Sequence, residues 1–133
     1  MKLLSTSILA VALLAGCGGS NDGPPTVLNL PAAPTQTVNG ALVGPEGMSL
    51  YVFDKDTVGS GKSACNGPCA TAWPPLAAPD NAQSIGQYSV VTRDEGTKQW
   101  AYSGAPLYYW HKDVKPGDQT GDGVGGVWHI ARP

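Results

Sequence analysis

Charged side chains are scarce in this sequence. Eight Lys and Arg stand against ten Asp and Glu, 14% of the chain, for a formal charge of −2. No basic patch is available for nucleic acid, and a mildly acidic surface is not attracted to phosphates. Histidine occurs only twice, as His111 and His129, and cysteine three times. No Gly-x-Ser-x-Gly motif is present, and no Ser, His and Asp set follows from spacing, so a serine-hydrolase reading lacks its parts. No Gly-rich loop follows a strand and opens a helix, which removes the usual phosphate cradle. No Cys-x-x-Cys-His is there to attach haem. Runs of strong helix formers are missing too, whereas Gly (18) and Pro (12) are abundant. The composition predicts a mostly β chain of strands and turns, and no enzyme.

No apolar run reaches the roughly 20 residues that a membrane-spanning helix needs. The longest runs from Leu3 to Leu14, after a single positive Lys2, and ends in Leu14-Ala15-Gly16-Cys17. A positive start and a short apolar segment fit a secretory signal. Small residues before a cysteine resemble the lipobox of bacterial lipoproteins. The expectation is a signal peptide over 1–16 and a lipidated Cys17. Each buried methylene contributes about 0.8 kcal/mol, and two or more acyl chains make the attachment stable. Residues 17–37 then read as a flexible tether rich in Gly, Pro, Ser and Thr. The predicted setting is the bacterial cell envelope: exported, lipid-anchored, on the outer membrane or facing the periplasm if the cell has one. Gly18 stands where an Asp would, in enteric bacteria, suggest retention in the inner membrane.

The stretch SLYVFDKD at 49–56 returns as PLYYWHKD at 106–113. Leu50, Tyr51, Phe53, Lys55 and Asp56 recur as Leu107, Tyr108, Trp110, Lys112 and Asp113. Gly47 recurs as Gly104, and each copy reaches a tryptophan downstream, Trp73 and Trp128. Alternation puts Leu50 and Val52 on one face of a strand and Tyr51 and Phe53 on the other. Each strand is apolar on both faces, so each copy needs a cover. The expected architecture is one compact domain over 38–133, built from copies at about 40–78 and 97–133 related by a pseudo-twofold axis. Strands are predicted at 88–93, 98–102, 107–110 and 125–132, with one short helix from Pro68 to Trp73.

The repeated motif resembles that of the bacterial lipoprotein family described as a secreted repeat of unknown function. Its hallmark Tyr-x-aromatic-x-x-Asp stands here as Tyr51-Val52-Phe53-Asp54-Lys55-Asp56 and Tyr108-Tyr109-Trp110-His111-Lys112-Asp113. The stretches SACNGPCATAWPPL, GTKQWAYSGAPLYYW and KPGDQTGDGVGGVWHIARP resemble the family as well. The resemblance implies export and a two-repeat fold, and it implies no activity.

Three groups of residues invite chemistry. Cys65 and Cys69 read as a disulfide in an exported protein. The alternative is a reactive thiol, since Gly67-Pro68 precedes Cys69 at a helix start; yet CNGPC is one residue longer than the thioredoxin-like spacing. His111 and His129, with Met48 and the thiols, could ligate copper. Asp113, Asp118, Thr120 and Asp122 imitate a calcium loop, but His129 holds the position where a bidentate Glu is needed. Exposed aromatics such as Tyr108, Tyr109 and Trp110 could bind a glycan or peptide, or could simply be core. The leading expectation is a binding or structural module with an envelope protein or glycan partner and no cofactor. A copper or thiol redox accessory protein and a calcium-dependent binding module are the alternatives.

Overall fold

The computed structural model describes residues 31–133. The expected signal peptide, Cys17 and the first part of the tether lie outside the described residues. Strand β1 (Gln36–Val38) and β2 (Ala41–Val43) form an antiparallel hairpin. Its two turn residues, Asn39 and Gly40, have φ of 50° and 76°, the left-handed pair that a tight hairpin turn demands. The folded part thus starts earlier than position 38. β1 already lies in the stretch read as tether, and the buried Thr35 hydroxyl bonds that of Tyr88.

Strand β3 (Tyr51–Phe53) pairs antiparallel with β8 (Trp128–Ile130), placing Tyr51 opposite Ile130 and Phe53 opposite Trp128. The other sheet has the order β4 (Ala77–Ala78), β6 (Lys98–Tyr102), β5 (Tyr88–Thr92), with β7 (Ala105–Pro106) also on β6. Helix α1 (Pro68–Ala72) starts on Pro68 and ends where Trp73 N–H bonds the Cys69 carbonyl, just before Pro74 and Pro75. These are the strand-rich fold and the short helix that composition predicts.

Two strands differ from expectation. In place of a strand over 107–110, β7 ends at Pro106. The backbone beyond it splits its bonds: Leu107 N–H goes to Trp100, the Leu107 carbonyl to Leu76, and Tyr108 pairs with Tyr51. No single neighbour runs alongside long enough for a ladder. The final strand is shortened by a 3-10 turn, Val124–Gly126, where Gly125 and Gly126 take positive φ.

The two copies meet about a pseudo-twofold axis at Tyr51 and Tyr108, whose backbones exchange N–H···O bonds of 2.8 and 3.0 Å. They are also interwoven. Leu50 N–H bonds the Leu42 carbonyl (3.0 Å), Leu42 N–H that of Ala131 (2.8 Å), and Ala131 N–H that of Leu50 (2.8 Å). The second copy repeats this ring: Leu107 to Trp100 (3.0 Å), Trp100 to Leu76 (2.9 Å), and Leu76 to Leu107 (2.9 Å). Each copy therefore completes its ring with a segment taken from the end of the other.

The alternating faces of the repeated strands feed two apolar clusters. Leu42, Leu50, Leu76, Trp100, Leu107 and Ala131 form one. Tyr51, Trp73, Tyr108, Trp128 and Ile130 form the other, with Phe53 and Trp110 against it. Leu50 and Leu107 are both fully buried in the first. Truncating either to Ala should cost about 2–5 kcal/mol, because lost transfer energy and a cavity add. Chemical denaturation checks this, and equal losses at the two positions are expected from their equivalence.

Candidate functional site

The motif residues exchange partners across the axis. Tyr51 Oη donates to Asp113 Oδ2 at 2.5 Å, and Tyr108 Oη donates to Asp56 Oδ2 at 2.6 Å. Each tyrosine of one copy is held by the aspartate of the other. The second carboxylate oxygens accept from the backbone: Asp56 Oδ1 from Ala64 N–H (2.7 Å) and Asp113 Oδ1 from Thr120 N–H (3.0 Å). Because the Tyr108 proton goes to Asp56, the 2.6 Å contact with Ser63 is a bond donated by the Ser63 hydroxyl. Burial pushes both tyrosine hydroxyls well above the usual phenol range, and the hydrogen bonds to the aspartates act in the same direction. Burial likewise raises Asp56, against the hydrogen bonds from Tyr108 and Ala64 and the charge of Arg93.

Beside these pairs four rings stack in a row. Phe53 lies on Trp128 at 4.2 Å between centroids, Trp128 on Trp73 at 3.8 Å, and Trp73 on Trp110 at 4.0 Å. Trp73 and Trp128 are buried, while Phe53 and Trp110 are half-exposed ends. Tyr51 meets Trp73 edge-on at 5.4 Å, and Tyr108 meets Trp128 edge-on at 5.1 Å. Gly121 is required here: a Cβ on it would fall 2.9 Å from Trp110, Trp73 and Tyr51.

Behind Tyr108 sits Arg93, which is 2% exposed. Its guanidinium donates to Gln99 Oε1 (2.8 Å), Ser63 Oγ (3.0 Å), the Cys65 carbonyl (2.5 Å) and Glu95 Oε1 (2.8 Å). The Arg93 hydrogen bond holds the Glu95 carboxyl down at about 2. Arg93, Gln99 and Ser63 did not emerge from the motif. Their one signal in the sequence is an arginine ending the apolar β5 stretch.

A cleft of about 510 Å³ opens at the Trp110 end of the stack, lined among others by Glu46, Met48, Tyr109, Trp110, His111 and Asp113. His111 Nδ1 lies 3.0 Å from the Ala72 carbonyl. A carbonyl only accepts, so the proton is on Nδ1 and the Nε2 lone pair is left free in the neutral ring. Burial, with the Glu46 charge adding, raises the Tyr109 hydroxyl.

The other candidate residues are placed as follows. Cys65 and Cys69 are bonded, with Cα atoms 5.2 Å apart, and both pack against the Trp73 cluster. His129 is away from the cleft lining and donates from Nε2 to Asp54 Oδ2 at 2.7 Å. Asp118 Oδ2 accepts from Val114 N–H (2.8 Å) and Lys115 N–H (3.1 Å), which lowers its pKa. Asp122 Oδ1 accepts from Ile130 N–H at 3.0 Å. Asp118 thus closes a turn, whereas Asp122 ties the loop to β8 and Asp113 holds Tyr51. Among the described residues no three His, Cys, Asp or Glu side chains converge as a group that could hold a metal ion.

Comparison with known proteins agrees with the duplicated geometry. No curated protein and no solved structure matches the chain. The family model for a secreted repeat of unknown function matches twice, over residues 35–77 and 89–132. Those two segments hold the two hydrogen-bond rings, the two tyrosine–aspartate motifs and the two central tryptophans. The chain belongs to the lipoprotein family described as a secreted repeat of unknown function.

Proposed function

We propose that this protein is a lipoprotein of the bacterial cell envelope, held on its membrane through Cys17, and that its domain is a binding module and not an enzyme. The observation that carries the reading is the cleft beside Trp110. It is the place where half-buried aromatic rings, a carboxylate and an imidazole with a free nitrogen share one concave surface. Its walls are backed by the aromatic stack, so it is formed before a ligand arrives, as small-ligand sites commonly are. The buried polar side chains around Tyr108, namely Arg93, Gln99, Ser63 and Asp56, are all engaged in bonds that hold the fold. A glycan or an envelope peptide suits such a wall of aromatics and few charges.

One observation favours copper as a second reading. His111 presents Nε2 with Nδ1 tied to a carbonyl, the usual posture of a ligating histidine, and Met48 lines the same cleft. Titration of the lipidated protein with Cu(I) and with envelope oligosaccharides separates the two. Binding of the sugars lost in Trp110→Ala supports the first reading, and copper binding lost in His111→Ala supports the second. The anchor has its own test. Cys17→Ser should move the protein from the detergent phase to the aqueous phase, and unchanged partitioning would reject lipidation.

A further inference from the structure

The aromatic stack and the two tyrosine–aspartate pairs together carry an activity that packing does not require. We infer that they form a one-electron relay, in which an oxidant at the Trp110 face is reduced and the oxidising equivalent is delivered to a buried tyrosine whose proton passes to the aspartate of the other copy. The inference does not depend on what the cleft binds.

Four observations support it. The three tryptophans are in unbroken ring contact, at 4.0 Å from Trp110 to Trp73 and 3.8 Å on to Trp128, the latter with planes only 4° apart. Such overlap couples neighbouring π systems directly. Trp110 is half-exposed and lines the cleft, so an oxidant reaches one end, whereas Trp73 and Trp128 are shielded from water. Each inner tryptophan has its own tyrosine edge-on, Tyr51 on Trp73 and Tyr108 on Trp128. Finally, each tyrosine already donates to a carboxylate oxygen, at 2.5 and 2.6 Å. The other oxygen of each carboxylate accepts an N–H bond, which fixes the group with Oδ2 turned to its tyrosine.

The chemistry balances as follows. A soluble one-electron oxidant, such as a metal complex in its higher oxidation state, takes one electron from Trp110. Trp73 refills Trp110, and Trp128 shares the hole with Trp73. Tyr51 or Tyr108 then gives up an electron to its tryptophan while its O–H proton crosses to Asp113 Oδ2 or Asp56 Oδ2. The O–H bond of tyrosine breaks, and a carboxylic O–H bond forms. The products are the reduced oxidant, a neutral tyrosyl radical and a protonated aspartate, and the tryptophans end unchanged. Burial raises the energy of a bare phenolate at these tyrosines, so loss of the electron and transfer of the proton are coupled. Phe53, at the far end, is the ring hardest to oxidise and closes the path.

The test is flash oxidation of the full lipidated chain in detergent with photogenerated tris(bipyridine)ruthenium(III), read by transient absorption and electron paramagnetic resonance. A neutral tyrosyl radical is expected in the parent protein. The isosteric pair Tyr51→Phe with Tyr108→Phe should abolish it and leave a tryptophan radical. Asp56→Asn with Asp113→Asn should do the same, since Asn can accept the hydrogen bond but not the proton. Tyr88→Phe with Tyr102→Phe, in the other cluster, should change nothing. Near-ultraviolet circular dichroism verifies that the stack survives in each variant. An undiminished tyrosyl signal in the Tyr51/Tyr108 pair overturns the relay, as does one in a folded Asp56/Asp113 pair. If the aspartate pair fails to fold, the tyrosine pair alone decides.

Discussion

Replacing Trp73 or Trp128 with alanine is expected to cost about 3–5 kcal/mol, the range for truncating a core aromatic. Each is nearly fully buried, and each touches a partner on both faces as well as a tyrosine at its edge. A hole at either position lies where the two copies stack on each other and so unsettles both at once. Phenylalanine should recover much of the loss, because it restores stacking area if not all the volume. Thermal or chemical denaturation followed by near-ultraviolet circular dichroism reads both the stability and the stack. A loss no larger than that of an ordinary surface substitution would mean that the rings do not hold the halves together.

Arg93→Ala is the second large effect. Removing one partner of a buried charged network typically costs about 3–5 kcal/mol, because what remains is left unpaired. Here Gln99 Oε1 would lose its donor inside the protein, and Ser63 Oγ and the Cys65 carbonyl would lose their bonds from the guanidinium. The change should also show in the acid limb of stability. The Arg93 hydrogen bond lowers Glu95 from 4.5 to about 2. In that interval the folded state binds fewer protons than the unfolded chain, so this contribution is complete above pH 4.5 and is lost as pH falls towards 2. Asp56 acts with the opposite sign: its raised pKa means the folded state holds its proton longer, and stability falls as pH rises from the ordinary value of 3.8 towards the raised one. In Arg93→Ala the Glu95 part should shrink in the stability–pH curve, with the Thr97 and backbone hydrogen bonds holding what remains, while the Asp56 part grows. Denaturation midpoints across the acid range would show it, and an unchanged slope would contradict the pairing.

Much of this fold is legible from the duplicated motif. Alternation around Leu50-Tyr51-Val52-Phe53 assigns side chains to two faces, and the clusters follow that assignment. Repetition of the motif marks Tyr51 and Tyr108 as equivalent, and they meet on the axis. What sequence reasoning does not reach is the crossing over. The motif writes Tyr51 and Asp56 close together, whereas the fold joins Tyr51 to Asp113, 62 residues away. Local spacing has no term for that choice, which depends on how the halves close over each other. Arg93 is hidden for a similar reason: its partners Ser63, Cys65 and Gln99 come from separate elements and form no motif. Strand ends are lost where the backbone shares its bonds among several neighbours, as at Leu107 and Tyr108.

The exchange of aspartates also sets a timetable. Tyr51 has no acceptor until Asp113 exists beside it, and Leu50 cannot close its ring until Ala131 arrives. Contacts so distant in sequence slow folding, since a long loop must close before it yields any gain. For a chain threaded across a membrane with its first copy leading, that delay is useful. The leading half reaches the far side with its key partners still missing, so it cannot lock into a finished shape while the trailing half is in transit. In such a passage folding would begin only when both halves are on the same side.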